Sequence, residues 1–214
     1  GNRLDTALDV LRIDAGGPGA TSAFLSESGT LLLDAVQVSA TFDLVATGAL
    51  SDTAGGRLTA VTALLDVGAA NAIGSAGNRL DTTVDQLSIG TAGTAGALDA
   101  FVTESSGVML QIARVAGTLD LTTSGAIVDA GAGGVIANRA VLNAGAAADI
   151  GSGANPLDVA VGTLVIGDPS LAGARDAFVQ SLTGLLVDGV NVAGNFDVRA
   201  SARGCGIFRS DAIA

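Results

Sequence analysis

Histidine, lysine, tryptophan and tyrosine are all absent from this 214-residue chain, which has one cysteine, one methionine and three prolines. Each absence removes a class of function. Without histidine there is no Ser-His-Asp or Cys-His activation of a nucleophile, and no imidazole ligand for a metal. Without lysine there is neither a phosphate-binding P-loop nor a Schiff base. The lone Cys205 has no partner for an internal disulfide and reads as an incidental buried thiol. No apolar run approaches the roughly 20 residues of a membrane span, because Asp, Gly, Arg or Asn interrupts every one. The ten basic residues are all arginine and face 21 acids, for a net charge of -11. Nucleic acid, whose affinity rests on cations at its phosphates, is therefore not an expected partner. The chain starts at Gly1 with neither Met nor a leader, and reads as a segment of something longer.

What remains is small and apolar. Hydrophobic residues make up 49% of the chain and aromatics only 3%, alongside 31 glycines. That much apolar content argues against intrinsic disorder. Burial at roughly 25 cal/mol per Å² must come from many Ala, Val, Leu and Ile side chains in a narrow, regular core.

The sequence repeats. Gly1-Asn2-Arg3-Leu4-Asp5-Thr6 returns as Gly77-Asn78-Arg79-Leu80-Asp81-Thr82, and more weakly as Asn155-Pro156-Leu157-Asp158. Phe24 is matched by Phe101 and Phe178, each 77 residues on. Phe42-Asp43-Leu44 becomes Leu119-Asp120-Leu121 and then Phe196-Asp197-Val198 at the same offset. The expected organisation is about three 77-residue units (1–73, 74–150 and 151–214, diverging after about 199) in one continuous solenoid.

Within a unit, short apolar patches recur between Gly, Asp, Asn, Ser and Thr, the residues that turn chains. Segments such as Phe42-Asp43-Leu44 alternate with period two, which predicts short strands with Asp on the outer face. A propeller blade is shorter than this unit and carries aromatic signatures. The predicted fold is therefore all-β: a parallel β-helix, or β-solenoid, with roughly 20 to 26 residues per coil and three or four coils per unit. In such a narrow section Phe24, Phe42, Phe101, Phe178 and Phe196, all at repeat-matched positions, are expected to plug the core. Exposed carbohydrate-stacking platforms are the alternative for these rings.

The order of motifs resembles the β-helical repeats of filamentous-haemagglutinin-like exoproteins and autotransporter passengers. The residues that carry the likeness are the Asn-Arg/Pro-Leu-Asp segment, then Phe24-Leu25-Ser26-Glu27-Ser28-Gly29 and Phe101-Val102-Thr103-Glu104-Ser105-Ser106-Gly107, then Leu-Asp-Leu and Gly-Ala-Ile-x-Asp. The third copy departs, reading Phe178-Val179-Gln180-Ser181-Leu182-Thr183-Gly184. The resemblance implies a right-handed parallel β-helix, exported to the bacterial cell surface or beyond. Its implied roles are structural and adhesive, in biofilm or filament assembly, with partners among neighbouring repeats, further copies of itself or cell-surface glycans.

Nineteen Asp and two Glu offer oxygen ligands for calcium. Gly16-Gly17-Pro18-Gly19-Ala20-Thr21 approaches the calcium nonapeptide but has Thr where Asp is needed. Asp43, Asp120 and Asp197 are equivalent weak candidates, several coils apart, and no cofactor is otherwise expected. Gly131-Ala132-Gly133-Gly134 fits no dinucleotide fingerprint. Polysaccharide lyases and glycosidases also use β-helices, with acids and arginines on an outer face. Paired acids do recur, as Asp5 with Asp9 and Asp81 with Asp85. A catalytic cleft is unique, however, so duplication favours a structural role, and no enzyme is expected. The unrepeated stretch Arg199 to Asp211, with Arg203, is where such an enzyme would keep its site. Scattered threonines give no flat ice-binding ladder.

Overall fold

The computed structural model describes residues 2–13, 20–131, 133–168, 170–201 and 206–209. Cys205, Arg203, Asp211, Ala132 and most of the Gly16–Thr21 segment lie outside the described residues. Those described form seventeen strands and no helix, and every strand pairing is parallel. Among the described residues no helix is long and apolar enough to cross a membrane.

One column of paired residues traces the whole rod. Leu4 stands beside Leu25, followed by Leu44, Leu65, Ile89, Ala113, Val135, Val159, Ser181 and Ala200. Successive members are 19 to 24 residues apart, so these ten residues mark about nine turns of a β-solenoid. At about 4.8 Å per turn, the rod is about 43 Å long. The shortest turns fall just under the coil length expected from the sequence.

The strands form where inward positions can be filled by branched or small apolar residues and outward ones by Asp, Thr, Ser or Arg. Thr118–Thr123 alternates half-buried and buried, with Leu119 and Leu121 fully inside. A second column, Leu31, Leu50, Ile73, Ala100, Leu119, Ala140, Leu164 and Val187, is buried throughout. Large and small side chains share that column, so side chains of neighbouring turns can nest against one another. The result is one continuous core from Leu11 to Val187.

Corners are tight enough to demand glycine. Gly90 has φ +74°, and a Cβ there would lie 2.4 Å from the Gly96 nitrogen. Gly167 and Gly173 repeat this contact with φ +73° and 2.5 Å.

Matches 77 residues apart do not share a column. Leu25 belongs to the column just traced, whereas Val102 stands in another, with Leu80, Leu121, Leu142 and Ile166. Val179 comes back to within two residues of Ser181, in the first column. An offset of 77 residues is thus about three and a half turns, which puts alternate matches on different sides of the rod.

The phenylalanines divide. Phe42 is fully buried and Phe196 is partly buried against the core. Phe24, Phe101 and Phe178 do not plug the core: Phe24 is 46% exposed, and the other two stand half-buried between inward residues. The physical reason is strand phase. Leu25 and Glu27 point inward, as do Val102 and Glu104, so the intervening parity and the preceding Phe point out.

Candidate functional site

The buried acids come first, because they contradict the expectation that acids sit in water. Glu27 and Glu104 are 2% and 1% exposed. Each ends its strand and turns its carboxylate onto the amides of the following corner and of the preceding turn. Glu104 accepts from the Val84 and Ser106 N–H groups at 2.9 Å each, and from the Thr82 and Ser106 hydroxyls at 2.8 Å each. Glu27 accepts from the Thr6 hydroxyl at 2.7 Å and from the Leu8 and Gly29 N–H groups at 3.0 and 3.1 Å. Burial pushes the Glu27 pKa up, but these donors together outweigh it and hold the carboxyl below its ordinary 4.5. In the third copy buried Ser181 takes this position and donates to the Thr183 carbonyl at 2.6 Å.

The sequence paired Asp81 with Asp85, but the structure places Asp81 beside Asp52, a turn away. Asp52 is 3% exposed and accepts from the Asp81 N–H at 2.8 Å, while Asn78 donates to the Asp52 carbonyl at 3.0 Å. Asp129, Asn155 and Asp158 repeat the arrangement, with the Asp158 N–H 2.7 Å from an Asp129 oxygen. Burial, followed by the neighbouring Asp81 charge, raises the Asp52 pKa above 3.8. Burial and the Asp129 charge do the same to Asp158, against a hydrogen bond from Gln180. Asp5, Asp9 and Asp85 are exposed.

The three calcium candidates all face arginine. Arg3 reaches Asp43 with one Nη2 at 2.6 and 2.7 Å from its two oxygens. Arg79 meets Asp120 at 2.9 Å, and Arg199 meets Asp197 at 2.6 Å. Asp43 and Asp120 also stand in different columns, beside Phe24 and Phe101 respectively. Among the described residues no three acidic or cysteine side chains gather around a point.

The outward phenylalanines complete the picture. In register, Arg3 lies beside Phe24 and Phe24 beside Asp43, so the guanidinium crosses the ring's row to reach the acid two turns away. Arg79, Phe101 and Asp120 stand in the same order. Arg79 places Nε on the Thr103 hydroxyl at 3.1 Å and Nη2 on the Val102 and Asp120 carbonyls at 2.9 and 2.7 Å. Pro156 takes the arginine's place in the third copy. Arg3 differs: its Nη1 is buried without a hydrogen-bond partner. Two open clefts, of about 410 and 500 Å³, meet at Asn2 and Arg3; one is completed by Phe24 and Asp43, the other by Asp5 and Ser26. The sequence flagged these rings but not the clefts.

No family model, curated protein or solved structure matches the chain. The likeness to exoprotein repeats is therefore supported as far as the β-helical repeat fold.

Proposed function

We propose that this chain is a rigid structural and adhesive segment of a large bacterial surface or secreted protein. The observation that carries the reading is how the charges are used. Arginine–acid pairs run along the rod and tie one turn to another: Arg12 to Asp34 across one turn, and the Arg3, Arg79 and Arg139 pairs across two. A polysaccharide-cleaving site would instead gather acids and arginine around one groove.

Display of the chain on a bacterial surface, scored for clumping and attachment, tests the reading. Attachment above that of undisplayed cells is expected, together with elongated particles of the purified chain by small-angle scattering. Absence of both attachment and clumping, or a purified chain that lowers the viscosity of an acidic polysaccharide and releases new reducing ends, would overturn it.

A further inference from the structure

We infer that a cleft midway along the rod, between Arg114 and Asn138, is a subsite for an acidic sugar residue, a uronate; the inference rests on the adhesive reading. Turns pack on both sides of this cleft. Arg114 stands beside Ile136 and Ile136 beside Ala160, and the buried column next to them continues to Ile89 on one side and Ser181 on the other. These three side chains point outward because Ala113, Val115, Val135 and Ala137 take the inward parity. Ala116 and Asn138 lie two residues further along, and Ala95 closes the cleft from the corner before Arg114. The cleft measures about 400 Å³, has a floor of alanine and isoleucine side chains, and is lined by no acid.

Arg114 breaks the pattern of the other arginines. Arg3, Arg12, Arg79, Arg139, Arg175 and Arg199 each hold an aspartate. Among the described residues Arg57 and Arg114 hold none; Arg57 is exposed, and Arg114 is half-buried in the cleft. The Arg114 Nη1 donates to the Ala92 carbonyl and so anchors the neighbouring corner. That task needs one donor and no charge. The matched residue of the third copy, Asn191, donates to the Asp168 carbonyl at 2.9 Å, and the first copy has Gln37 there. The charge and the other two nitrogens of Arg114 are surplus to the fold. They are also open to solvent, because the one enclosed, unpartnered side-chain nitrogen among the described residues belongs to Arg3. The exposed Asn138 amide makes no side-chain hydrogen bond among those residues either.

A guanidinium with free nitrogens matches a carboxylate, Asn138 offers donors and an acceptor to ring hydroxyls, and the apolar floor takes the C–H face of the ring. The net charge of -11 repels anions at range, but physiological salt screens it beyond about 8 Å, so the nearest cation decides. Glycoside cleavage needs carboxyl groups beside the bond, and none lines this cleft, so it holds a uronate without cutting it.

The test is heteronuclear NMR titration of the whole chain, with digalacturonate as the probe and lactose as the neutral control. Shifts centred on the Arg114 Nε–H and the Asn138 side-chain amide are expected. Binding should be about tenfold weaker in R114Q, which loses the charged bonds, and unchanged in R57Q, which removes the other unpaired arginine. Glutamine already stands at the matched position 37, and circular dichroism identical to the original shows that R114Q folds. No shift at about 10 mM digalacturonate overturns the inference. So does equal binding of lactose, or an equal loss in R57Q and R114Q. Cells displaying the chain on a polygalacturonate-coated surface separate this site from the adhesive reading. If R114Q attaches as well as the original, the uronate site falls and the adhesive rod stands. If digalacturonate binds in solution but displayed cells attach to nothing, the site stands and the adhesive reading falls.

Discussion

Glu104 offers the sharpest test of what holds the turns together. Its carboxylate is buried and accepts from four donors, two of them backbone amides. Replacement by alanine removes all four acceptor contacts at once. The hydroxyls have a second choice nearby: Thr82 Oγ1 lies 3.3 Å from the Thr103 carbonyl, and Ser106 Oγ lies 3.2 Å from that of Gly107. The Val84 and Ser106 amides lose the carboxylate that pairs them. Stranding a buried donor costs about 1–3 kcal/mol. E104A strands two such amides, so a loss of about 2–6 kcal/mol is expected. E104Q keeps one carbonyl oxygen but turns an NH₂ group toward donors, so about half that loss is expected.

Urea unfolding followed by circular dichroism measures the cost, provided the slope with denaturant is unchanged. Hydrogen exchange locates it. Each turn of a solenoid touches only its neighbours, so the loss of protection should centre on Val84 and Ser106 and fade within a turn or two. An E104A chain within about 1 kcal/mol of the original, with both amides still protected, would refute the role assigned to this carboxylate.

Other perturbations follow from the same structure. Gly90→Ala places a Cβ 2.4 Å from a backbone nitrogen at φ +74° and should cost about 2 kcal/mol or more by thermal melting, whereas Gly93→Ala, with open space around it, should be close to neutral. Phe42→Ala should cost about 3–5 kcal/mol in denaturant and Phe101→Ala far less, because only the first ring is fully enclosed. Two groups of acids should pull stability in opposite directions with pH. The Glu27 carboxyl is held below its ordinary 4.5, so its contribution is present above that value and lost as pH falls through the lowered pKa; E27Q should remove this acid-side loss. The Asp52 pKa is raised above 3.8, so its contribution is present below that value and lost as pH rises through the raised pKa; D52N should gain on the original between pH 4 and 7 in urea titrations.

Much of the fold was readable because period two and turn residues are local signals. Phe42-Asp43-Leu44 points Asp outward, and the paired strand does the same. The phase of Phe24 was not readable by the usual rule. Phe24 and Glu27 have opposite parity, so placing the acid in water forces the ring inside. Here the acid goes inside, because Leu8 and Gly29 amides and the Thr6 hydroxyl meet it there, and the ring is turned out. The clue was the recurrence of Glu-Ser before a glycine corner, a position where a carboxylate can cap turn amides. The acid pairs were missed for another reason. Asp52 and Asp81 are 29 residues apart, and only the length of the intervening turn brings them together.

That turn length also explains how a repeated sequence yields a rod that is not the same on every side. If a unit were a whole number of turns, Phe24, Phe101 and Phe178 would form one stripe, and so would the buried glutamates. At about three and a half turns, successive matches fall on different sides and alternate ones return, so every core column mixes residues from different places in the unit. Leu50, Ile73, Ala100, Leu119 and Ala140 thus stand in one column although no two of them are repeat equivalents. The alternation lets a large side chain nest beside a small one, which a column of identical residues could not do at the same density. It also separates the outer features: Phe24 and Phe101 stand in different columns, so the outward rings form no ladder. Inserting or deleting half a turn in the 67–79 connection would shift all later strand phases against the core. The expected outcome is a chain that loses cooperative unfolding beyond that point, seen as a biphasic urea curve.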